Sequence, residues 1–214
     1  MLDHDRAEAT RQSRPSVRVA ARQADARKRI LEAARVVISE QSFAGAQVAT
    51  VADVADVATG TIYRHFASKD ALFSEVLRRV CERELQVVQA IAAETNRTAT
   101  ERVRDAVSTF VTRAIRGENL AYSVIVEPMS PTVDQVRLDA RHGLCSVFAS
   151  LITDGITQGE FRDQNVRLSG AAIVGAFLEG LVEPLEHLER TPLEQDQTSQ
   201  DLAQFCVSAL THRI

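Results

Sequence analysis

The run Gly60-Thr61-Ile62-Tyr63-Arg64-His65-Phe66-Ala67-Ser68-Lys69-Asp70-Ala71-Leu72 packs hydroxyls, a phenol, an imidazole and two cations around apolar anchors. Tyr63 and His65 can each give a hydrogen bond to a phosphate oxygen without carrying full charge, and Lys69 can reach a sugar–phosphate backbone as a point cation. Thr59, Gly60 and Thr61 are small enough to let a helix end approach a partner closely, and free backbone N–H groups at such an end favour phosphate. Ile62 and Phe66 would face inward and fix the angle. This chemistry suits a surface that lies against nucleic acid. Signatures of catalysis are missing: there is no Gly-rich phosphate loop, nucleophile elbow, Cys-x-x-Cys or His-Glu-x-x-His. No catalytic residue, metal site or cofactor is therefore expected.

To present those groups the span must be a short helix held at a fixed angle, and the flanking sequence supplies the frame. From Asp25 onward, Ile30, Leu31, Ala34, Val37 and Ile38 recur at spacings of three and four, the stripe of a helix. Phe43-Ala44-Gly45 ends it. A second, short helix is predicted over 48–54, with Val48, Val51 and Ala52 inward. Ala55-Asp56-Val57 forms a turn, and a third helix runs from about Ala58 to Arg64 or His65. Ser68 is a good N-cap for a fourth, with Asp70 in its first turn. Its apolar face is Leu72, Phe73, Val76, Leu77 and Val80, and it continues to about Thr95. Helix, short helix, tight turn, short helix is the layout of a helix-turn-helix module, whose last helix enters the major groove.

The arrangement resembles the DNA-binding domain of TetR-family transcriptional regulators over about Asp25 to Val80. The family pattern near the turn is Ala-Gly-Val-Ser, a variable residue, Gly-Thr, a variable residue, Tyr, a variable residue, His-Phe, and a Ser-Lys that opens the fourth helix. Here it reads Ala55-Asp56-Val57-Ala58-Thr59-Gly60-Thr61-Ile62-Tyr63-Arg64-His65-Phe66-Ala67-Ser68-Lys69. Asp56 replaces the usual turn glycine; Asp tolerates a left-handed backbone better than most residues. Ala58 replaces the usual Ser cap, which loses about 1 kcal/mol of capping. The resemblance implies that Tyr63, His65 and Lys69 contact phosphates. Thr59, Gly60, Thr61 and Arg64 would lie at or near the groove, and Gln47 and Thr50 would touch the backbone.

The rest of the chain also reads as helices. Thr98-x-x-Glu101 is a capping box opening a helix to about Arg116, and a short helix spans about Asn119 to Glu127. Ser130-Pro131 places a cap and a first-turn proline ahead of a long helix to about Gly159. Two more are expected over about 166–188 and 199–212, separated by Pro192 and a polar run. The fold class is thus all-α: a three-helix helix-turn-helix domain followed by a larger helical domain, about nine helices in all. The division is a flexible basic tail (1–24), a DNA-binding domain (25–80) and a ligand-binding and dimerisation domain (81–214). The tail carries Arg6, Arg11, Arg14, Arg18 and Arg22, and Pro15 argues against a helix running through it from residue 1. It is either a solvated tail or an arm that touches DNA.

By the resemblance, the last two long helices form a four-helix bundle with their symmetry mates in a homodimer. Ala171, Ala172, Gly175 and Gly180 would permit close approach there. Helices five to eight would bound a cavity for a small effector, with Phe110, Tyr122, Val126, Met129, Phe148, Ile152 and Phe177 as candidate walls and Arg141 as a polar group to orient a ligand. Charge is distributed unevenly: residues 1–80 hold 13 Lys+Arg against 10 Asp+Glu, and the remainder 12 against 19. The basic end is the one carrying the motif. No run of about 18 apolar residues suggests a membrane span, and the N-terminus has no secretion-signal core. The three cysteines are far apart, which fits a reducing cytoplasm rather than a disulfide scaffold. The resemblance implies a ligand-responsive transcriptional regulator whose partners are a near-palindromic operator duplex and a small molecule, with repression relieved by the effector.

Overall fold

The computed structural model describes residues 17–187 and 191–211. Ten helices follow one another: α1 (Val17–Gly45), α2 (Val48–Val54), α3 (Thr59–His65), α4 (Lys69–Ala92), α5 (Ala99–Arg116), α6 (Glu118–Ile125), α7 (Pro131–Thr157), α8 (Val166–Glu179), α9 (Val182–Glu186) and α10 (Pro192–Thr211). Among the described residues there is no strand. Counting α8 and α9 as one helix interrupted at Gly180 and Leu181 gives nine.

Two hydrophobic cores organise these helices. The N-terminal core gathers Ile30, Val37 and Ile38 of α1, Val51 of α2, Ile62 of α3 and Leu72 of α4. The C-terminal core holds Val103 and Val107 of α5, Phe148 and Ile152 of α7, Phe177 of α8 and Leu210 of α10. Helix α4 belongs to both, with Leu72, Phe73, Val76 and Leu77 in the first and Val88 in the second. The expected boundary at residue 80 falls inside this helix, which is roughly 36 Å long at 1.5 Å per residue. A shared helix, rather than a loop, connects the two parts.

Local sequence chemistry explains most of the helix ends. The Ser68 hydroxyl accepts the Ala71 N–H at 3.0 Å, and Thr98 and Glu101 form a reciprocal capping box. At the end of α7, Gly159 takes φ +74°, and the Glu160 N–H returns to the Gly155 carbonyl at 2.8 Å. This is the Schellman closure for which glycine is suited. Asp56 does the same after α2: its φ is +52°, its N–H meets the Asp53 carbonyl at 3.1 Å, and the Val57 N–H meets that of Ala52 at 3.0 Å.

Other expectations are corrected. Helix α1 starts at Val17, so residues 17–24 extend it and do not form a loose tail. They are good helix formers without Gly or Pro, but they carry no buried stripe: residues 20–24 are exposed. Arg6, Arg11, Arg14 and Pro15 lie outside the described residues. Helix α10 starts at Pro192 rather than Ser199, because Thr191 and Glu194 build a capping box around a first-turn proline. Ser130 does not cap α7 with its side chain; its buried hydroxyl has no partner. The segment Val166–Glu186 is long and apolar enough to cross a membrane, which the sequence reading did not anticipate. Ile173, Val174 and Phe177 of this segment are buried in the C-terminal core, which accounts for part of its apolar character.

Candidate nucleic-acid interface and effector cavity

Helix α3 stands on the N-terminal core through Ile62, 1 % exposed, and Phe66 just after it, 5 % exposed. The Arg27 guanidinium lies 4.8 Å from the centre of the Phe66 ring and pairs with Glu75 at 3.4 Å. Arg29 donates to the Ala55 carbonyl at the end of α2 at 3.3 Å, a cation placed where a helix terminus favours one. Two arginines of α1 thus brace the module from behind.

The other side of α3 is open. Thr59, Gly60 and Arg64 are exposed, and Tyr63 is 52 % exposed. Thr61 and His65 are half-buried. Arg64 donates to the Thr61 hydroxyl at 3.0 Å and so lies along the helix. Lys69 is half-buried, its ammonium 5.2 Å from the centre of the Phe73 ring. A Cβ on Gly60 would meet nothing within 4 Å, so the fold itself does not require glycine there. Gln47, the residue before α2, is exposed and reaches the Gly45 carbonyl at 3.5 Å, while Thr50 is half-buried. Ala58 precedes α3 without a side-chain cap. The first-turn N–H groups of α3 therefore have no capping side chain.

A second feature lies in the C-terminal part. A partly open cavity of about 810 Å³, counted out to its mouth, is enclosed by α4, α5, α6 and α7 and closed by Leu178 of α8. Its walls are mostly apolar: Val80 and Leu85 of α4, Phe110 and Ala114 of α5, Ala121 and Ile125 of α6, Leu144 of α7. Polar groups are few. Arg113 and Glu84 neutralise each other in a two-point ion pair at 2.6 and 2.7 Å. Arg137 is held by Asp134 and by the Glu127 carbonyl. Burial pushes the Cys81 thiol up to about 11, with Glu84 and Glu82 adding to the rise; a thiol so protonated is a poor nucleophile.

Helix α6 joins the two features. Leu120 and Val124 face the cavity and also pack against the N-terminal core. Just past α6, Glu127 is 7 % exposed. Its carboxylate accepts the N–H groups of Phe43 at 3.0 Å and Ala44 at 2.8 Å, and the Ser42 hydroxyl at 3.3 Å. Ser123 adds a longer bond to the Phe43 N–H at 3.3 Å. These donors are free because Ser42, at φ +64° and ψ +174°, breaks α1 and leaves a new helix start behind it. A carboxylate at a helix start satisfies the orphan N–H groups and favours the local dipole. The cavity wall and the end of α1 are therefore clamped together.

Residues 30–76 match the family model described as bacterial regulatory proteins, tetR family. A fatty acid metabolism regulator protein of Bacillus subtilis is 28 % identical over 155 residues, covering 69 % of this chain and 77 % of that protein. The transcriptional repressor KstR of Mycobacterium tuberculosis is 42 % identical over 77 residues, which is 36 % of this chain and 32 % of KstR. Residues 30–76 thus carry the N-terminal segment of the tetR family. Solved structures of the family share the fold over most of the chain's length. The transcriptional regulator FadR from Bacillus subtilis in complex with stearoyl-CoA aligns with a TM-score of 0.74 at 23 % identity, covering 86 % of this chain and 98 % of that one. A putative tetR family regulator from Shewanella sp. PV-4 aligns at 0.66 and 27 % identity, covering 88 % and 99 %.

The candidate cavity residues separate into three groups. Phe110 and Arg141 line the cavity. Phe148, Ile152 and Phe177 are fully buried, and the Phe177 ring lies tilted between Phe110 at 5.0 Å and Phe148 at 5.6 Å. Those three are core rather than wall. Tyr122 and Val126 pack against the C-terminal core outside the cavity, and Met129 packs against the N-terminal one. The wall supplied by α4 was not anticipated. Its residues look like the continuation of the apolar face that begins at Leu72, and nothing in their spacing distinguishes wall from core.

Proposed function

We propose that the chain is a ligand-responsive transcriptional repressor that binds a near-palindromic operator as a homodimer. The observation that carries this is the pairing on α3 of a buried inner side, Ile62 with Phe66, and an outer side of Thr59, Gly60, Tyr63 and Arg64 left to solvent. Tyr63, His65 and Lys69 would bond phosphates, Thr59, Gly60, Thr61 and Arg64 would meet the groove, and Gln47 and Thr50 would touch the backbone beside it. Residues 25–80 would form the DNA-binding domain and residues 81–214 the effector and dimerisation domain, sharing α4. The repressor name of KstR supports the direction of control.

The dimer face would be α8 with α10. Leu168 is 67 % exposed and Phe205 60 %, and Ala171, Ala172 and Gly175 are exposed beside Leu168 on α8. A Cβ on Gly175 would meet nothing within 4 Å, so close approach of a second helix there is unobstructed. An effector in the cavity would push on α6, and the Glu127 clamp would carry the displacement to α1 and so change the separation of the two α3 helices. The Bacillus subtilis FadR structure holds stearoyl-CoA, which supports an apolar chain as the part of the effector that fills this cavity.

The experiment is recovery of bound fragments from genomic DNA with the full chain. Expected are fragments with two inverted half-sites about one helical turn apart, centre to centre, or a multiple of that spacing. Fragments without a shared motif, at a salt concentration where nonspecific binding is suppressed, would overturn the assignment.

A further inference from the structure

Three guanidinium groups face one carboxylate in the lining of the cavity between α4, α5, α6 and α7, although residues 81–214 carry 19 acidic against 12 basic side chains. Two of the three are engaged: Arg113 by Glu84, and Arg137 by Asp134 and the Glu127 carbonyl. Arg141 is different. Among the described residues it makes no hydrogen bond or ion pair, and it is exposed. It also lines a second cavity between α7 and α8, together with Ile125 and Leu178, which border both. Arg141 therefore stands at the junction of an apolar chamber and a more polar one. Burial pushes the thiol of the neighbouring Cys145 up, and the Arg141 charge acts against that push.

We propose that the effector is an amphiphile with an apolar chain and an anionic head, and that Arg141 receives the head where the two cavities meet. This rests on the reading of the cavity between α4, α5, α6 and α7 as the effector site. The chain lies along Phe110, Ala121 and Leu144, where it displaces poorly hydrated space and makes no polar demand. The head stays at the open edge, partly in water, so the cost of desolvating it is small while a guanidinium can bond it bidentately. Glu179 lines the second cavity and not the first. Its carboxylate keeps the anion on the Arg141 side and sets the direction in which the ligand lies. A cationic head would face an unpaired guanidinium and is rejected.

The test is calorimetric titration of the full-length dimer with dodecanoate, dodecanoyl-CoA, 1-dodecanol and dodecyltrimethylammonium, on wild type, Arg141→Gln and Arg141→Lys. The free acid and the thioester distinguish a carboxylate head from a phosphate-bearing one. Arg141→Gln is expected to weaken one or both anionic probes by about tenfold while dodecanol changes by less than about twofold, the loss of one charge-assisted contact. Arg141→Lys retains part of the anionic binding, and the ammonium probe binds wild type more weakly than the alcohol. Equal effects of Arg141→Gln on alcohol and anions, or none on either, would overturn the head-group assignment and leave the cavity as an apolar effector site. Failure of every probe to bind wild type would overturn the effector site itself, and this inference with it.

Discussion

The two halves of this molecule leave different things unfinished. The N-terminal module fills its core, with Ile30, Val37, Ile38 and Val51 all at 0 % exposure, and turns polar groups outward. The C-terminal part keeps a chamber inside it and apolar side chains outside it, Phe205 and Leu168 among them. A filled core under a polar helix suits a rigid reader of a charged polymer. An unfilled interior and an uncovered apolar face suit a ligand and a second subunit, because each leaves apolar surface in water that association would remove. What the fold leaves unsatisfied in each half indicates which partner completes it.

That contrast can be broken at the point where the halves meet. Glu127→Ala strips acceptors from the N–H groups of Phe43 and Ala44 and from the Ser42 hydroxyl. Phe43, the one buried donor residue, keeps its longer bond to Ser123, so the expected cost is about 1.5–3 kcal/mol of stability, that of one hydrogen bond to a charged group. Chemical denaturation measures this. A loss under about 0.5 kcal/mol, the range of ordinary surface substitutions, would mean that the clamp is not a mechanical link. Next in size, Phe205→Glu puts a charge on the proposed subunit interface. Sedimentation velocity should report a dimer constant weakened by at least about tenfold, a modest value for a central aromatic anchor, with monomer unfolding unchanged. The smallest effect sharpens the N-terminal side. Ala58→Ser restores a cap to α3 and should add about 1 kcal/mol of stability, seen as a raised denaturation midpoint.

Sequence made the N-terminal module legible because each of its devices is local. Helix α2 runs over the expected residues, Val48 to Val54, since its inward side chains and the Asp56 turn lie within a few positions of one another. The cap at Ser68 and the capping box at Thr98 are equally local. The start of α10 rests on residues just as close together, Thr191 to Glu194, but the polar run after them hides it, and the expected start is Ser199. The start of α1 was not legible, because an exposed helical extension has no stripe. The cavity was the hardest. Phe110 lines it and Phe177, its ring centre 5.0 Å away, does not; both are aromatics on apolar helices. Whether such a residue borders space or fills it depends on how five helices pack, which no spacing in the sequence encodes. The Glu127 clamp is of the same kind, since its partners lie more than 80 positions away.

The claim on which the rest depends is that the outer side of α3 docks on a duplex. It is tested most directly by gel-shift titration of the recovered operator with wild type and with Tyr63→Ala/Lys69→Ala, both first shown to be folded dimers. Loss of two phosphate contacts should weaken binding by about a hundredfold and flatten the dependence of affinity on salt, because fewer counterions are released. An unchanged affinity in the double variant would contradict the account and require a different DNA face.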